Sequence, residues 1–227
     1  MPFVVFGPNG GPMKVAVVAS GDLDPADATA LDGADRVIAA DGGAASLERF
    51  GRRPDLLIGD LDSTEPSLVE RLIEAGVTVE RHPADKEASD TELALLAATQ
   101  LGADEIVVLG AIGGARLDHE LANLLLLADP ALRGRAVRVV HAGNTVRVVH
   151  PDQPLALDGR IGDLVTLLPI GGEATGVTTA GLRWPLDAAT LQMGRSRGLS
   201  NEIVMTPASV RLESGLLLVA ERTREEE

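Results

Sequence analysis

Asp60 and Asp62 close the run DLLIGDLDST two residues apart, and their charge needs a reason. They repel each other, and neither helps a core. Leu56, Leu57 and Ile58 before them read as a buried strand, and Gly59 lets the backbone turn at its mouth. If strand alternation persists past that point, both carboxylates lie on the same side. Other apolar runs also end in acids: Asp41-Gly42-Gly43 follows RVIAA, and HPADKEASD, with Asp90 at its end, follows VTVER. Each feature has a bland reading by itself. Asp41-Gly42-Gly43 can be a turn with a helix cap, Ser89 with Glu92 a capping box, Asp90 a complement to a helix dipole, and GAIGG a plain loop. The conjunction outweighs these, because acids from three strand ends on one rim are costly unless they share a cation. Hard divalent ions take oxygen ligands, and Mg2+ uses a few carboxylates plus substrate phosphates. Asp41, Asp60, Asp62 and Asp90 are therefore the candidate metal ligands. GAIGG allows close backbone approach to a phosphate, and Lys86 and Arg116 supply positive charge beside it. The residues alone point to a Mg2+-dependent enzyme acting on a phosphorylated nucleotide.

Such a rim requires parallel strands, since ligands of open α/β sheets bind beyond the strands' carboxyl ends. The first half supplies them. Strands are expected at about 14–19, RVIAA (36–40), DLLI (55–58), VTVER (77–81), EIVVLG (105–110) and AVRVVH (136–141). Helical patterns lie between them: GAASLERFG, PSLVERLIEAG, SDTELALLAATQLG and LDHELANLLLLAD. In the third, Leu93, Leu95, Leu96 and Leu101 give the apolar positions, Ser89 the N-cap and Gly102 the stop. Alternation of continuous apolar strands with helices implies a parallel sheet covered on both faces. After Gly143 short strands follow one another through Gly, Pro, Asp and Asn: NTVRVVH, DLVTLLPI, ATGVTTAG, EIVMT, SVRLES and GLLLVAERT. This texture implies an antiparallel sandwich or barrel. The expected division is a loose arm over 1–12, an α/β domain over 13–142 and a β domain over 143–227, with ERTREEE a solvated tail. There are no repeats and no low-complexity segment.

Composition narrows the classes. With 45% hydrophobic and 24% charged residues, the 227-residue chain reads as a globular protein able to bury one good core, or a large domain and a small one. No apolar run has the length of a membrane span, and no basic-then-apolar leader opens the sequence, so a cytoplasmic protein is expected. Cysteine is absent, which removes disulfides, thiolate zinc sites and cysteine nucleophiles. A net charge of -14 argues against a nucleic-acid partner and suits a bound cation. Of the 20 basic residues only Lys14 and Lys86 are lysine, and Trp184 is the single tryptophan.

The order DGGA, PDLLIGDLDS, DKEASDTELAL, GAIGGARLDHELANLLLL, then TTAGLRWPL and GLSNE, resembles thiamine pyrophosphokinase from about Val15 to Glu202. The resemblance implies a Rossmann-like three-layer α/β domain followed by a β-sandwich. It implies a homodimer, with thiamine held where the N-terminal domain of one subunit meets the C-terminal domain of the other. It also implies transfer of a diphosphoryl group from ATP to thiamine, yielding thiamine diphosphate and AMP. Carried over by motif, Asp41, Asp60, Asp62 and Asp90 would bind Mg2+ and phosphates. Gly42, Gly43, Ser63, Lys86, Thr91, Gly113, Gly114, Arg116, Asp118, His119 and Asn123 would lie around ATP, and Trp184, Ser200, Asn201 and Glu202 would face thiamine. The thiamine hydroxyethyl oxygen would attack the β-phosphorus with AMP leaving in line, a transfer that depends on positioning and charge neutralisation. A carboxylate near the metal, such as Asp90, could take the hydroxyl proton, the alternative being activation mostly by the metal itself. A lone Trp is more often a core residue, yet its face suits a flat cationic ring.

Two departures from the family pattern stand out. Lys86-Glu87-Ala88-Ser89-Asp90 replaces a lysine-aspartate then threonine-aspartate pattern, which makes Glu87 a weaker ligand candidate. Gly113-Gly114-Ala115-Arg116 is one residue longer than a glycine-glycine-arginine run, leaving open which amides and whether Arg116 meet phosphate. Three other functions fit parts of the pattern. They are a pyrophosphokinase for another alcohol such as a pterin, a metal-dependent phosphohydrolase, and a non-catalytic nucleotide or thiamine sensor.

Overall fold

The apolar runs of the first half become strands because small aliphatic and β-branched side chains fill both faces of a covered parallel sheet. The computed structural model describes residues 11–224; most of the expected arm, residues 1–10, and the last three residues of the tail lie outside the described residues. The chain forms two units, Met1–Ala142 and Gly143–Glu227.

In the first unit the strands are β1 (Lys14–Val18), β2 (Arg36–Ala40), β3 (Leu56–Gly59), β4 (Thr78–Arg81), β5 (Glu105–Leu109) and β6 (Ala136–His141). All pair in parallel, in the order β4-β3-β2-β1-β5-β6. β4 is an edge, and its Thr78, Glu80 and Arg81 are exposed, as a protected edge requires. The chain steps outward from β1 to β4, then crosses back to place β5 on the other side of β1. The crevice for a ligand therefore opens at the carboxyl ends of β1 and β5, where the winding reverses. There Ala19 N–H donates to Leu109 O and Gly21 N–H to Gly110 O, both at 2.8 Å.

Four helices connect the strands: α1 (Gly43–Arg49), α2 (Pro66–Glu74), α3 (Asp90–Gln100) and α4 (Leu117–Leu126). Ser89 caps α3 by accepting the Glu92 N–H, and Gly102, at φ 82°, ends it. The buried face of α3 is Thr91, Ala94, Leu95 and Ala98 rather than the run of leucines. Leu93 and Leu96 are half-buried and Leu101 is exposed, because α3 lies against β1, β2 and β3 where alanine permits close approach. α4 buries none of its residues and exposes Leu117, Leu121 and Leu125 in one stripe.

The second unit consists of β7 (Asn144–Val149), β8 (Leu155–Ala156), β9 (Leu164–Ala180), β10 (Ala189–Leu191), β11 (Asn201–Glu202), β12 (Ser209–Arg211) and β13 (Ser214–Arg222). The antiparallel order is β7-β13-β9-β12-β8, with β10 and β11 also on β9. DLVTLLPI and ATGVTTAG, expected as two strands, form the single 17-residue β9. The glycines between them do not make a hairpin. β13 pairs along Leu164–Ile170, shifts register, and rejoins at Thr175, so Gly171-Gly172 is an irregularity within the strand. EIVMT is not a strand beyond Glu202, since the N–H groups of Val204 and Met205 turn back to Gly181 O. β8 and β10 are too short to show in the sequence pattern. Val165, Leu167, Val177, Ile203, Val210 and Leu217 form the core of this unit. No helix among the described residues is long and apolar enough to cross a membrane.

Candidate active site

The acid cluster begins where β2 and β3 end. Asp41 N–H donates to Ile58 O at 2.9 Å, which continues the ladder by one residue and holds Asp41 beside β3. Gly59, at φ 149°, leaves room that no side chain could share: a Cβ there would lie 2.9 Å from Asp90 Oδ1 and 3.1 Å from Asp41 Cβ. The strand geometry does not persist beyond it. Leu61 adopts φ 63° and is buried, so the chain turns over an apolar anchor between the two acids. Asp60 and Asp62 come together through this turn, with Asp62 N–H donating to Asp60 Oδ1 at 3.2 Å. Carboxylate oxygens of Asp41, Asp60 and Asp62 all lie within 4.8 Å of one another.

Electrostatics separates the four acids. Asp41 is only 4% exposed, and burial pushes its carboxyl up. Hydrogen bonding from the Thr64 and Ser63 side chains pulls it down in part, and the charges of Asp90 and Asp62 push it up further; the Ser63 N–H also donates to Asp41 Oδ2 at 3.3 Å. The Lys86 ammonium, 3.0 Å from Asp60 Oδ2, holds Asp60 below the usual carboxylate range. Lys86 is also 3.0 Å from Asp90 Oδ1, an ion pair without hydrogen-bond geometry, so that buried oxygen lacks a hydrogen-bond donor. Burial pulls Lys86 down, but its close contacts with the Asp90 and Asp60 carboxylates outweigh it and raise the ammonium. Ser63 Oγ donates to Asp62 at 2.9 Å. Three clustered carboxylates, and a fourth whose buried oxygen has an ion pair but no hydrogen bond, form a hard oxygen set that fits a divalent cation.

The glycine loop between β5 and α4 faces this cluster across a cavity of about 460 Å³. Asn123 Nδ2 donates to Ala111 O at 3.0 Å and ties the loop to the helix. The Gly113 and Gly114 N–H groups both donate to Glu120 Oε1 at 2.9 Å. Arg116 is paired with Asp118, and this guanidinium takes the Asp118 carboxyl down to about 2.

The structure brings Asp41, Asp60, Asp62, Ser63, Asp90, Thr91, Gly114, Arg116, His119 and Asn123 to the cavity wall. Gly42, Gly43, Lys86, Gly113 and Asp118 are off that wall. Gly43 is a packing residue, since a Cβ there would lie 2.0 Å from Val18 O. Glu87 is exposed and outside the acid cluster. Among the wall residues that escaped the sequence reading are Ser20 and Gly21 after β1, and Glu120 in α4. The end of β1 could have been found, because ASGD follows an apolar run as the other site loops do. Glu120 carried no signal, being one acid in the polar part of an amphipathic helix.

The four residues expected to face thiamine lie in the second unit. Trp184 is 58% exposed, so it is not a core tryptophan, and Arg183 lies 6.0 Å from its ring centroid. Asn201 is buried and brackets the Trp184 backbone, accepting its N–H at 3.1 Å and donating to its carbonyl at 2.7 Å. Glu202 accepts from Nε and Nη2 of Arg183, and that pairing holds its carboxyl below the usual range. Ser200, at φ 56°, donates its N–H to Thr166 Oγ1.

Residues 28–140 match the family model described as the catalytic domain of thiamin pyrophosphokinase, and residues 149–217 match that of its vitamin B1 binding domain. A thiamine pyrophosphokinase of Bacillus subtilis (strain 168) is 25% identical over 186 residues, covering 82% of this chain and 86% of its own length. Thiamine pyrophosphokinase 1 of Oryza sativa subsp. japonica is 26% identical, over 74% of this chain and 66% of its own length. Among solved structures, a thiamin pyrophosphokinase from Geobacillus thermodenitrificans superposes with a TM-score of 0.78 at 28% identity, covering 94% of this chain and 99% of that one. The B. subtilis structure superposes with a TM-score of 0.82 at 24% identity, which speaks to the fold alone.

Proposed function

The chain belongs to the thiamin pyrophosphokinase family, and from that premise we propose that it transfers a diphosphoryl group from ATP to thiamine, giving thiamine diphosphate and AMP. The observation that carries this reading is the meeting of Asp41, Asp60 and Asp62 within 4.8 Å at strand ends, opposite a glycine loop. Mg2+, held there by Asp41, Asp60 and Asp62 with Asp90 beside them, supplies Lewis-acid charge to the phosphate oxygens when bound. Thr64 and Ser63 orient Asp41 for that duty, and Lys86 holds Asp60 and Asp90 apart from each other's charge.

We assign ATP to the cavity walled by Ser63, Thr91, Gly114, Arg116, His119 and Asn123, and propose that Gly42, Gly43, Lys86, Gly113 and Asp118 lie around the nucleotide from off that wall. The thiamine hydroxyl oxygen forms the new bond to the β-phosphorus, the bond from that phosphorus to the bridging oxygen of AMP breaks, and the hydroxyl proton passes to Asp90. Thiamine belongs on Trp184, Ser200, Asn201 and Glu202. An exposed indole and a carboxylate are the partners a flat cation needs. The Rossmann-like layering of the first unit belongs to the same proposal, supported by the reversal of winding at β1 and β5.

We further propose a homodimer in which thiamine lies between the first unit of one copy and the second unit of the other. The uncovered Leu117, Leu121 and Leu125 stripe of α4 supports a second copy as its cover. The absence of cysteine agrees with the cytoplasm as its place of work.

The test is product identification after incubation with ATP, Mg2+ and thiamine. AMP with thiamine diphosphate is expected. ADP, or phosphate released without dependence on thiamine, would overturn the proposal.

A further inference from the structure

The groups best suited to receive a phosphate are already occupied by this chain's own carboxylates. Lys86 lies between Asp60 and Asp90, Arg116 is paired with Asp118, and the Gly113 and Gly114 amides converge on Glu120. The last contact differs in kind from the others. Two successive backbone N–H groups pointing at one oxygen form a concave anion-binding nest. Glu120 Oε1 fills it at 2.9 Å from both nitrogens. The carboxylate reaches back from the first turns of α4, the direction in which helical side chains lean. Both Gly114 and Glu120 line the cavity that holds the acid cluster, so the filled nest faces the place assigned to the nucleotide.

We infer that Glu120 is an internal stand-in for a phosphate, a positioning residue that keeps the glycine loop formed when no nucleotide is bound and yields the nest when one enters. This rests on the nucleotide reading above. A nest of two amides serves one anion well, so a phosphate oxygen that takes those N–H groups displaces Glu120. Displacement subtracts from nucleotide affinity, while the contact satisfies both loop donors, the half-buried Gly113 N–H among them, when the site is empty. A permanent helix-to-loop cap makes the opposite forecast: losing it would loosen the loop and weaken nucleotide binding.

The experiment compares wild type, Glu120→Ala and Glu120→Gln by calorimetric titration with inorganic tripolyphosphate and with α,β-methylene ATP, both in Mg2+, and with adenosine as the phosphate-free control. Vacating the nest should tighten the two phosphate ligands roughly tenfold in Glu120→Ala, about the net worth of one charge-assisted hydrogen bond. Adenosine should be unaffected. Glu120→Gln removes the charge but keeps an acceptor oxygen, so its gain should be clearly smaller. Unchanged or weaker binding in Glu120→Ala overturns the inference, and so does equality of the two variants, which would leave only a general charge effect. A measurement on the wild type stands whatever the variants do. The 13Cδ resonance of Glu120 should move when tripolyphosphate saturates the protein, and a resonance that stays fixed overturns the displacement. If the wild type binds neither phosphate ligand, the nucleotide reading fails and this inference with it. If the wild type binds both and makes AMP, the nucleotide reading stands and only the role of Glu120 is at stake.

Discussion

Asp41 shows at the scale of one side chain how a site can work against stability. It is buried, raised by that burial, and faced by the charges of Asp90 and Asp62. Asn can take its place without losing either neighbour, because the Thr64 hydroxyl can turn to accept while the Ser63 N–H still donates to the amide oxygen. Asp41→Asn should therefore raise the melting temperature of the metal-free protein by about 2–4 °C at pH 7. The same change should lower kcat on the order of 100-fold or more. Differential scanning calorimetry and a product assay check the two halves. Glu202 provides the contrasting sign. Arg183 holds its folded-state pKa below the ordinary 4.5, so the pair's stabilisation is present above that value and lost as pH falls through the depressed folded value. The melting difference between wild type and Glu202→Gln should thus be small at pH 7, as for exposed ion pairs, and vanish as pH falls through the depressed folded value. A difference that grows on acidification would contradict the assignment.

At the scale of elements, close approach governs what substitutions cost. α1 starts on Gly43, which touches the carbonyl of Val18 in β1, and any Cβ would overlap that oxygen. Gly43→Ala should cost about 3 kcal/mol in urea unfolding, the upper range of overpacking. The sequence already showed where the parallel strands lie, because β1, β2, β3 and β5 are apolar after at most one charged first residue and each has a glycine or an acid at or soon after its end. It also showed the four aspartates as a group. It did not show how Asp60 meets Asp62, because a buried leucine at positive φ is a tertiary outcome that local preference opposes. β9 was misread for a related reason: Gly171-Gly172 has the composition of a turn, and only pairing with β13 on both sides keeps the strand continuous. The contact of Glu120 with the loop amides depends on the path of the loop, which no spacing rule encodes.

Across the whole molecule the net charge of -14 sets a field that repels ATP. Enzymes with basic clefts lose on-rate as salt is added, and this one should gain. Raising ionic strength from about 10 to 150 mM at fixed free Mg2+ shortens the Debye length from roughly 30 to 8 Å and should increase kcat/KM for ATP by about threefold. Initial-rate measurements across that range check it, and a decline would point to a basic approach path that the composition hides. Leu121→Glu places a charge in the middle of the exposed stripe of α4. In sedimentation equilibrium it should shift the proposed dimer to monomer while leaving circular dichroism unaltered. The pairing of β13 has a consequence for the order of events during synthesis. It joins β7 through Arg222 with Asn144, and β9 through Arg222 with Leu164. Both earlier strands leave the ribosome with an open edge and must wait for this late arrival. A nascent chain paused before Ser214 thus carries two unpaired β edges, while the parallel sheet made by β1 to β6 has every one of its strands in hand.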